Sequence, residues 1–236
     1  MKVESGKMLT SPLAIQLRSF TRALGLNKLI AILMGARDYE DRFGPALSAE
    51  VRLGDTVWDV GANVGLYTTM FVKVTGPRGR VVAFEPTQAC FGQLEKKFSG
   101  MTRVVLNKFA LGDTDGSITM AVETDPLAAT HRVVSGSPAE QTVLVEIRSG
   151  ASVVSADPEI FPNVIKIDVE GHEGAVIDGL KPLLDDHRLH CIGIEVHFGI
   201  LAERGESWRP KSMEQILVSS GFTLRWTDVS HLLATR

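Results

Sequence analysis

Cysteine is nearly missing from this chain. Only Cys90 and Cys191 occur among 236 residues, without CxxC spacing or a metal-like pattern, so a disulfide framework is excluded and a reduced, cytoplasmic setting is expected. Neither sign of charge is in surplus. Lys and Arg number 25 against 28 Asp and Glu, a net charge of −3, which gives no global attraction to nucleic acid or to anionic lipid. An unbroken hydrophobic run is also lacking. The Leu/Ile-rich stretch 13–34 is cut by Arg18, Arg22 and Lys28, which rules out a secretory core or a membrane span there. Its apolar residues recur at helical spacing and predict a face packed on the domain rather than a membrane or partner anchor; the helices could cap the substrate pocket or meet a second subunit, so an oligomer stays open. Internal repeats and low-complexity tracts are absent.

What remains is an ordinary globular composition, 44% hydrophobic and 22% charged, enough apolar side chain for one continuous core. Short apolar runs at 56–60, 80–84, 103–107, 163–168 and 190–195 read as strands. Helical patterns follow the first two at 66–74 and 87–98, with Thr87 as a candidate N-cap, and further helices are expected after the last two. Strands alternating with helices imply a mostly parallel, doubly wound α/β sheet covered on both faces. Two β runs at 116–122 and 142–147 predict a hairpin inserted between the third and fourth strands. The intervening stretch 125–140 reads either as a flap over a substrate or as a disordered excursion. A helix at 213–219 and two strands, 222–226 and 230–234, close the chain.

The strongest local signal is Asp59-Val60-Gly61-Ala62-Asn63-Val64-Gly65, where a strand ends and a helix begins. Glycines there allow a tight turn and close approach to a ligand, and the free N–H groups opening the helix favour an anionic group. The pattern is G-x-N-x-G rather than the dinucleotide G-x-G-x-x-G. A carboxylate at Asp59, just before the loop, suits an ammonium group better than a diphosphate, which disfavours a nicotinamide-dependent oxidoreductase. Glu85, at the end of the second strand and followed by Pro86, is placed to accept both hydroxyls of a ribose. Asp113, past the third strand, lies where an adenine would sit, or is an ordinary turn aspartate.

The set Asp59-Val-Gly-Ala-Asn-Val-Gly65, Ala83-Phe-Glu-Pro86, Ala110-Leu-Gly-Asp113 and Ile165-Lys-Ile-Asp-Val-Glu-Gly-His-Glu173 resembles the FkbM-type methyltransferases, over roughly residues 53–197. The resemblance implies a class I methyltransferase fold with a seven-stranded, Rossmann-like sheet. It also implies S-adenosylmethionine as cofactor and methylation of a hydroxyl on a sugar, polyketide or other small acceptor. Its cofactor motifs carry onto Asp59, Gly61, Ala62, Asn63, Gly65, Glu85, Pro86, Asp113 and Asp168. One departure is that Arg148-Ser-Gly-Ala-Ser-Val153 lacks the Leu-Asp pair common in that family. The division expected is a helical extension over 1–50 and a cofactor-binding domain over 51–236.

Ligands in such folds sit beyond the carboxyl ends of the strands. Asp168, Glu170, His172 and Glu173 follow the fourth strand, and Glu195 and His197 the fifth. His172 or His197 is expected as the base that deprotonates a hydroxyl, with Glu170 or Glu195 orienting it or binding sugar hydroxyls. Acidic residues opposing a helix dipole are the bland alternative. Asp168 and Glu195 could present oxygens to a divalent ion, but no ligand triplet of distinctive spacing is visible, so a metal is not favoured. Two other functions remain in view. A non-catalytic interaction module is opposed by the intact glycine loop, and an RNA methyltransferase by the acidic charge balance and the lack of an aromatic-basic platform.

Overall fold

A computed structural model of the chain describes residues 42–122, 132–133 and 141–236. The stretch 13–34 and the 125–140 stretch, apart from residues 132–133, lie outside the described residues. Helix α1 (Phe43–Glu50) leads into β1 (Thr56–Val60), α2 (Leu66–Val74), β2 (Arg80–Phe84), α3 (Gln88–Phe98) and β3 (Val104–Asn107). Four strands follow, β4 (Ala110–Gly112), β5 (Gly116–Val122), β6 (Arg132–Val133) and β7 (Gln141–Ser149). Then come α4 (Gly150–Ala156), β8 (Val164–Ile167), α5 (Glu173–Leu180), β9 (Cys191–Glu195), α6 (Phe198–Glu203), α7 (Arg209–Ser219), β10 (Thr223–Trp226) and β11 (His231–Thr235).

The main sheet has seven strands in the order β10-β11-β9-β8-β1-β2-β3, parallel except for β11, which runs antiparallel to both β9 and β10. This is the doubly wound, mostly parallel sheet expected from the sequence. The central strands are buried at nearly every position, as strands covered on both faces must be. The chain builds β1 to β3 outward on one side, then returns to lay β8 on the other side of β1. The boundary between β1 and β8 is therefore the switch point, where the flanking connections diverge and leave a crevice above the strand ends.

Two apolar layers flank the sheet. Trp58, Phe84, Ile165 and Ile167 meet α5 and α7 on one face, while Val57, Val81 and Phe71 meet α1 to α3 on the other. Phe43 and Leu47 of α1 pack onto Gly193 of β9, where a Cβ would come within about 3 Å of the Phe43 ring and a Leu47 methyl, so the glycine lets the helix lie against the sheet. Trp58 is fully buried and its indole Nε1–H donates to the Ile160 carbonyl at 2.8 Å. Trp58→Phe strands that carbonyl away from water, and urea unfolding is expected to show a loss of about 1–3 kcal/mol.

The insertion is larger than a hairpin. β5 and β7 pair antiparallel as anticipated, but β4 joins β7 in parallel and β6 joins β5, giving a second sheet of order β4-β7-β5-β6. The three-residue β4 is too short to show a period in sequence. Helix α4 was also not anticipated; it starts at Ser149, whose side-chain oxygen caps the Ser152 amide. Helix α7 begins four residues earlier than the apolar spacing suggests, because Pro210 sits in its first turn, where a missing N–H costs nothing.

Candidate active site

Above the switch point lies a cavity of about 270 Å³, walled by the tips of β1, β2, β8 and β9 and by the second sheet. The loop after β1 forms its base. Gly61 takes φ 74°, and a Cβ there would fall 1.9 Å from the Asp168 carbonyl oxygen, so only glycine lets the loop pass between β1 and the end of β8. Every amide from Gly61 to Gly65 already has an acceptor inside the protein. Gly61 and Ala62 N–H both donate to the Phe84 carbonyl at 3.0 Å, Asn63 N–H to Glu85 Oε2 at 3.0 Å, Val64 N–H to Asn63 Oδ1 at 2.7 Å and Gly65 N–H to the Ala62 carbonyl at 2.9 Å. The expectation of free loop amides cradling an anion is thus corrected. These donors fold the loop, and only Gly61 and Asn63 of it reach the cavity.

Glu85 links the loop to β2. It is 5% exposed and lines the cavity, with Oε2 on the Asn63 amide and Oε1 accepting from both the amide (2.9 Å) and the hydroxyl (2.5 Å) of Thr87. Thr87 does occupy the N-cap position of α3, but its hydroxyl serves Glu85 rather than the helix. Oε2 keeps acceptor capacity for a ligand hydroxyl, and Oε1, which already accepts twice, gains it when the Thr87 hydroxyl turns away. Beside it, Phe84, Pro86, Ala110, Leu111, Ile118 and Met120 make an apolar wall. A buried carboxylate that accepts from a diol, next to a slot that fits a flat ring, is the arrangement an adenosine needs.

The other end of the cavity is acidic. Asp168, Glu170 and Glu195 line it, and His197 stands among them, buried, with Nε2 at 3.2 Å from Glu170 Oε2, 3.9 Å from Asp168 Oδ1 and 3.8 Å from Glu195 Oε1. Its Nδ1 meets Oε1 of the fully buried Glu173 at 2.6 Å. Burial alone would lower the His197 pKa, but the Glu173 hydrogen bond and the charges of Glu173, Glu170 and Glu195 outweigh it and raise the value to about 9. Burial lifts Glu170 to about 7, the nearby carboxylates adding to the effect and His197 opposing it. Glu195 is held below the usual carboxylate range, since hydrogen bonding by His231 and the charges of His197 and His231 overcome its burial. Among the described residues, Asp168, Glu170 and His197 each offer one ligand atom, all within 4.8 Å of one another.

A buried ion pair stands behind both ends. Lys166, 2% exposed, places Nζ 3.2 Å from Asp59 Oδ1 and 3.4 Å from Asp168 Oδ2 and donates to the Gly61 carbonyl at 3.0 Å. Burial opposes its charge, but Asp59 and Asp168 more than compensate and its pKa rises. The same neighbourhood, chiefly through burial, pushes the Tyr67 phenol up to about 12.

A family model described as the methyltransferase FkbM domain matches residues 59–224. The chain belongs to the FkbM methyltransferase family. A hexuronic acid methyltransferase from Haloferax volcanii is 31% identical over 157 residues, covering 65% of this chain and 61% of that relative's length. Solved structures resemble the FkbM chain more distantly. Fibrillarin from Aeropyrum pernix with bound S-adenosyl-L-methionine superposes with TM-score 0.45 at 14% identity, covering 78% of this chain and 67% of that one. A SAM-dependent methyltransferase from Aquifex aeolicus gives 0.41 at 14% identity, covering 80% and 86%. At such scores they add nothing to what the strand order shows.

Of the residues singled out in the FkbM sequence, the fold brings Gly61, Asn63, Glu85, Pro86, Asp168, Glu170, His172 and Glu195 to the cavity. Asp59 is not among them. Strand alternation turns its side chain toward α2, where Oδ2 accepts from Thr68 at 2.6 Å and Oδ1 faces Lys166, so it meets no external ammonium group. Ala62 and Gly65 shape the loop without lining the cavity, and Asp113 is an exposed turn residue. His197, expected as a base, is an imidazolium at neutral pH between carboxylates and accepts no further proton. His172 is lowered in pKa by burial, and its Nε2, beside Gly112, has no hydrogen-bond partner among the described residues. Sequence reading missed Lys166. Its one signal was a lone lysine at the centre of an otherwise apolar strand.

Proposed function

We propose that this chain is an S-adenosylmethionine-dependent methyltransferase acting on a hydroxyl of a sugar acceptor of the hexuronic acid class. The observation that carries the reading is Glu85, a buried carboxylate at the tip of β2, opening onto an apolar-walled cavity at the switch point. Family membership supports the reaction, and the Haloferax volcanii relative supports the acceptor class. S-adenosylmethionine supplies an electrophilic methyl group on a sulfonium. The protein's part is to hold and to deprotonate. Glu85 takes the ribose hydroxyls, Gly61 and Asn63 give a close, already folded floor, and Phe84, Leu111 and Met120 exclude water from the ring. His172 contributes an imidazole face to the cavity wall. At the acidic end Glu170 receives the acceptor's hydroxyl proton, with His197 directly behind it and Asp168 and Glu195 beside it.

The same reading makes residues 51–236 the cofactor-binding domain and 1–50 an extension, of which helix α1 packs on the sheet. No helix among the described residues is long and apolar enough to cross a membrane. A cytoplasmic setting is proposed from a sequence with only two cysteines and no CxxC spacing, and a small-molecule acceptor in place of nucleic acid from the charge balance.

Calorimetric titration with S-adenosylmethionine tests this. The wild-type chain is expected to bind at one saturable site and to transfer a labelled methyl group to a hexuronic acid acceptor. Glu85→Ala removes two charge-assisted hydrogen bonds, so its Kd is expected to rise about 100-fold. A wild-type chain with no affinity for the cofactor, or a Glu85→Ala variant that binds equally well, rejects the proposal.

A further inference from the structure

We infer that Asp168, Glu170 and His197 form a divalent-cation site at the acidic end of the cavity, one that takes manganese or zinc in preference to calcium. Two loops build it. Asp168 and Glu170 come from the segment after β8, and His197 from the end of β9, two residues past its last strand position. One atom from each side chain lies within 4.8 Å of the others, the spread expected of ligands around one ion at bond lengths of about 2.0–2.2 Å. Both outer ligands are aimed from behind by buried charged groups. Lys166 holds Asp168 Oδ2 and leaves Oδ1 facing His197, and Glu173 holds His197 Nδ1 at 2.6 Å and leaves Nε2 facing the carboxylates. A carboxylate on the far nitrogen is the usual support of a metal-bound imidazole, because it fixes the tautomer and the ring's direction.

Charge gives an independent reason. Four carboxylates, Asp168, Glu170, Glu173 and Glu195, surround this one imidazole. The neighbouring cations are committed: Lys166 is shared with Asp59, and His231 lies between Glu195 and Asp228. Glu173 is fully buried, and its Oε2 has no hydrogen-bond partner among the described residues. A divalent ion at Nε2 would displace the proton that His197 otherwise holds there and would balance more of this negative charge than that proton does. The mixed set of one imidazole and two carboxylates suits manganese or zinc, whereas calcium prefers oxygen alone. Whether the ion binds does not depend on the proposed function. Only its use does: with a uronic acid acceptor, a cation there offsets the repulsion between the substrate's carboxylate and the cavity's own acids.

The test uses the full chain stripped with a chelator and titrated with Mn2+, free ion being followed by electron paramagnetic resonance, and zinc and calcium added as competitors. One Mn2+ per chain is expected, displaced by zinc and not by equimolar calcium. Glu170→Gln and His197→Gln are each expected to weaken binding at least 10-fold, while Glu95→Gln, on an exposed face of α3, leaves it unchanged. Glu170 sits on a loop, so its variant carries the test if His197→Gln fails to fold. The inference is overturned if the wild-type chain binds no Mn2+, or if Glu170→Gln binds it as tightly as Glu95→Gln does. Cofactor calorimetry on the same metal-free sample separates the two readings. Intact cofactor binding without Mn2+ binding sinks the cation site alone, and the reverse sinks only the methyltransferase reading.

Discussion

Lys166→Met is expected to destabilise the chain by about 3–5 kcal/mol in urea titrations, the cost of leaving one member of a buried ion pair without its partner. Asp59 is fully buried on the α2 face and Lys166 is the only cation at its Oδ1 among the described residues. The two residues stand side by side in register on β1 and β8, so no rearrangement short of parting the strands brings water to the orphaned carboxylate. The Thr68 hydroxyl remains on Oδ2, but a neutral donor does not balance a charge. The double variant Lys166→Met with Asp59→Asn leaves no charge at this pair of positions and is expected to recover more than half of the loss. Purely additive losses would show that the lysine contributes by packing under Tyr67, over whose ring it lies at 5.1 Å, and not by charge.

Gly61→Ala is expected to cost about 3–5 kcal/mol and to abolish cofactor binding. Two costs combine. An L-residue at φ 74° in the left-handed region loses about 1–2 kcal/mol. The rest comes from the new methyl, which would sit 1.9 Å from the Asp168 carbonyl oxygen and must drive the loop away from β8. Gly54→Ala is the matched control. Its φ is 96° and nothing lies within 4 Å of the added carbon, so it should show the backbone cost alone, about 1–2 kcal/mol. Differential unfolding of the two variants reads the collision directly, and equal losses would mean that the loop yields without disturbing Asp168.

The architecture was legible because it is written in periods. Runs such as Val57-Trp58 and Val81-Val82-Ala83 announce doubly covered strands, and the helical spacing after each announces the crossovers. Glu85 was legible for the same reason: one residue past a strand is a position, and position predicts the tip of the sheet. Asp59 shows where such reasoning ends. It belongs to the strand rather than the loop, and whether a strand-end carboxylate faces ligand or neighbour depends on which partner stands across from it, here Lys166 at matched register. The acidic cluster was half visible. Its members could be named, but His197 meets Glu173 and Glu170 only because two loops fold together, and the proton it holds follows from that crowding rather than from any spacing. The second sheet was underestimated because its outer strands are only two or three residues long.

The five satisfied amides of the glycine loop have one more consequence. A binding loop that must be ordered by its ligand subtracts that entropy from the affinity, commonly about 1–2 kcal/mol for each residue fixed. Here the ordering is complete before any ligand arrives, because Phe84, Glu85 and the loop's own atoms have already claimed the donors. The ligand meets a rigid template, so its affinity is set by what it touches and not by what it must first assemble.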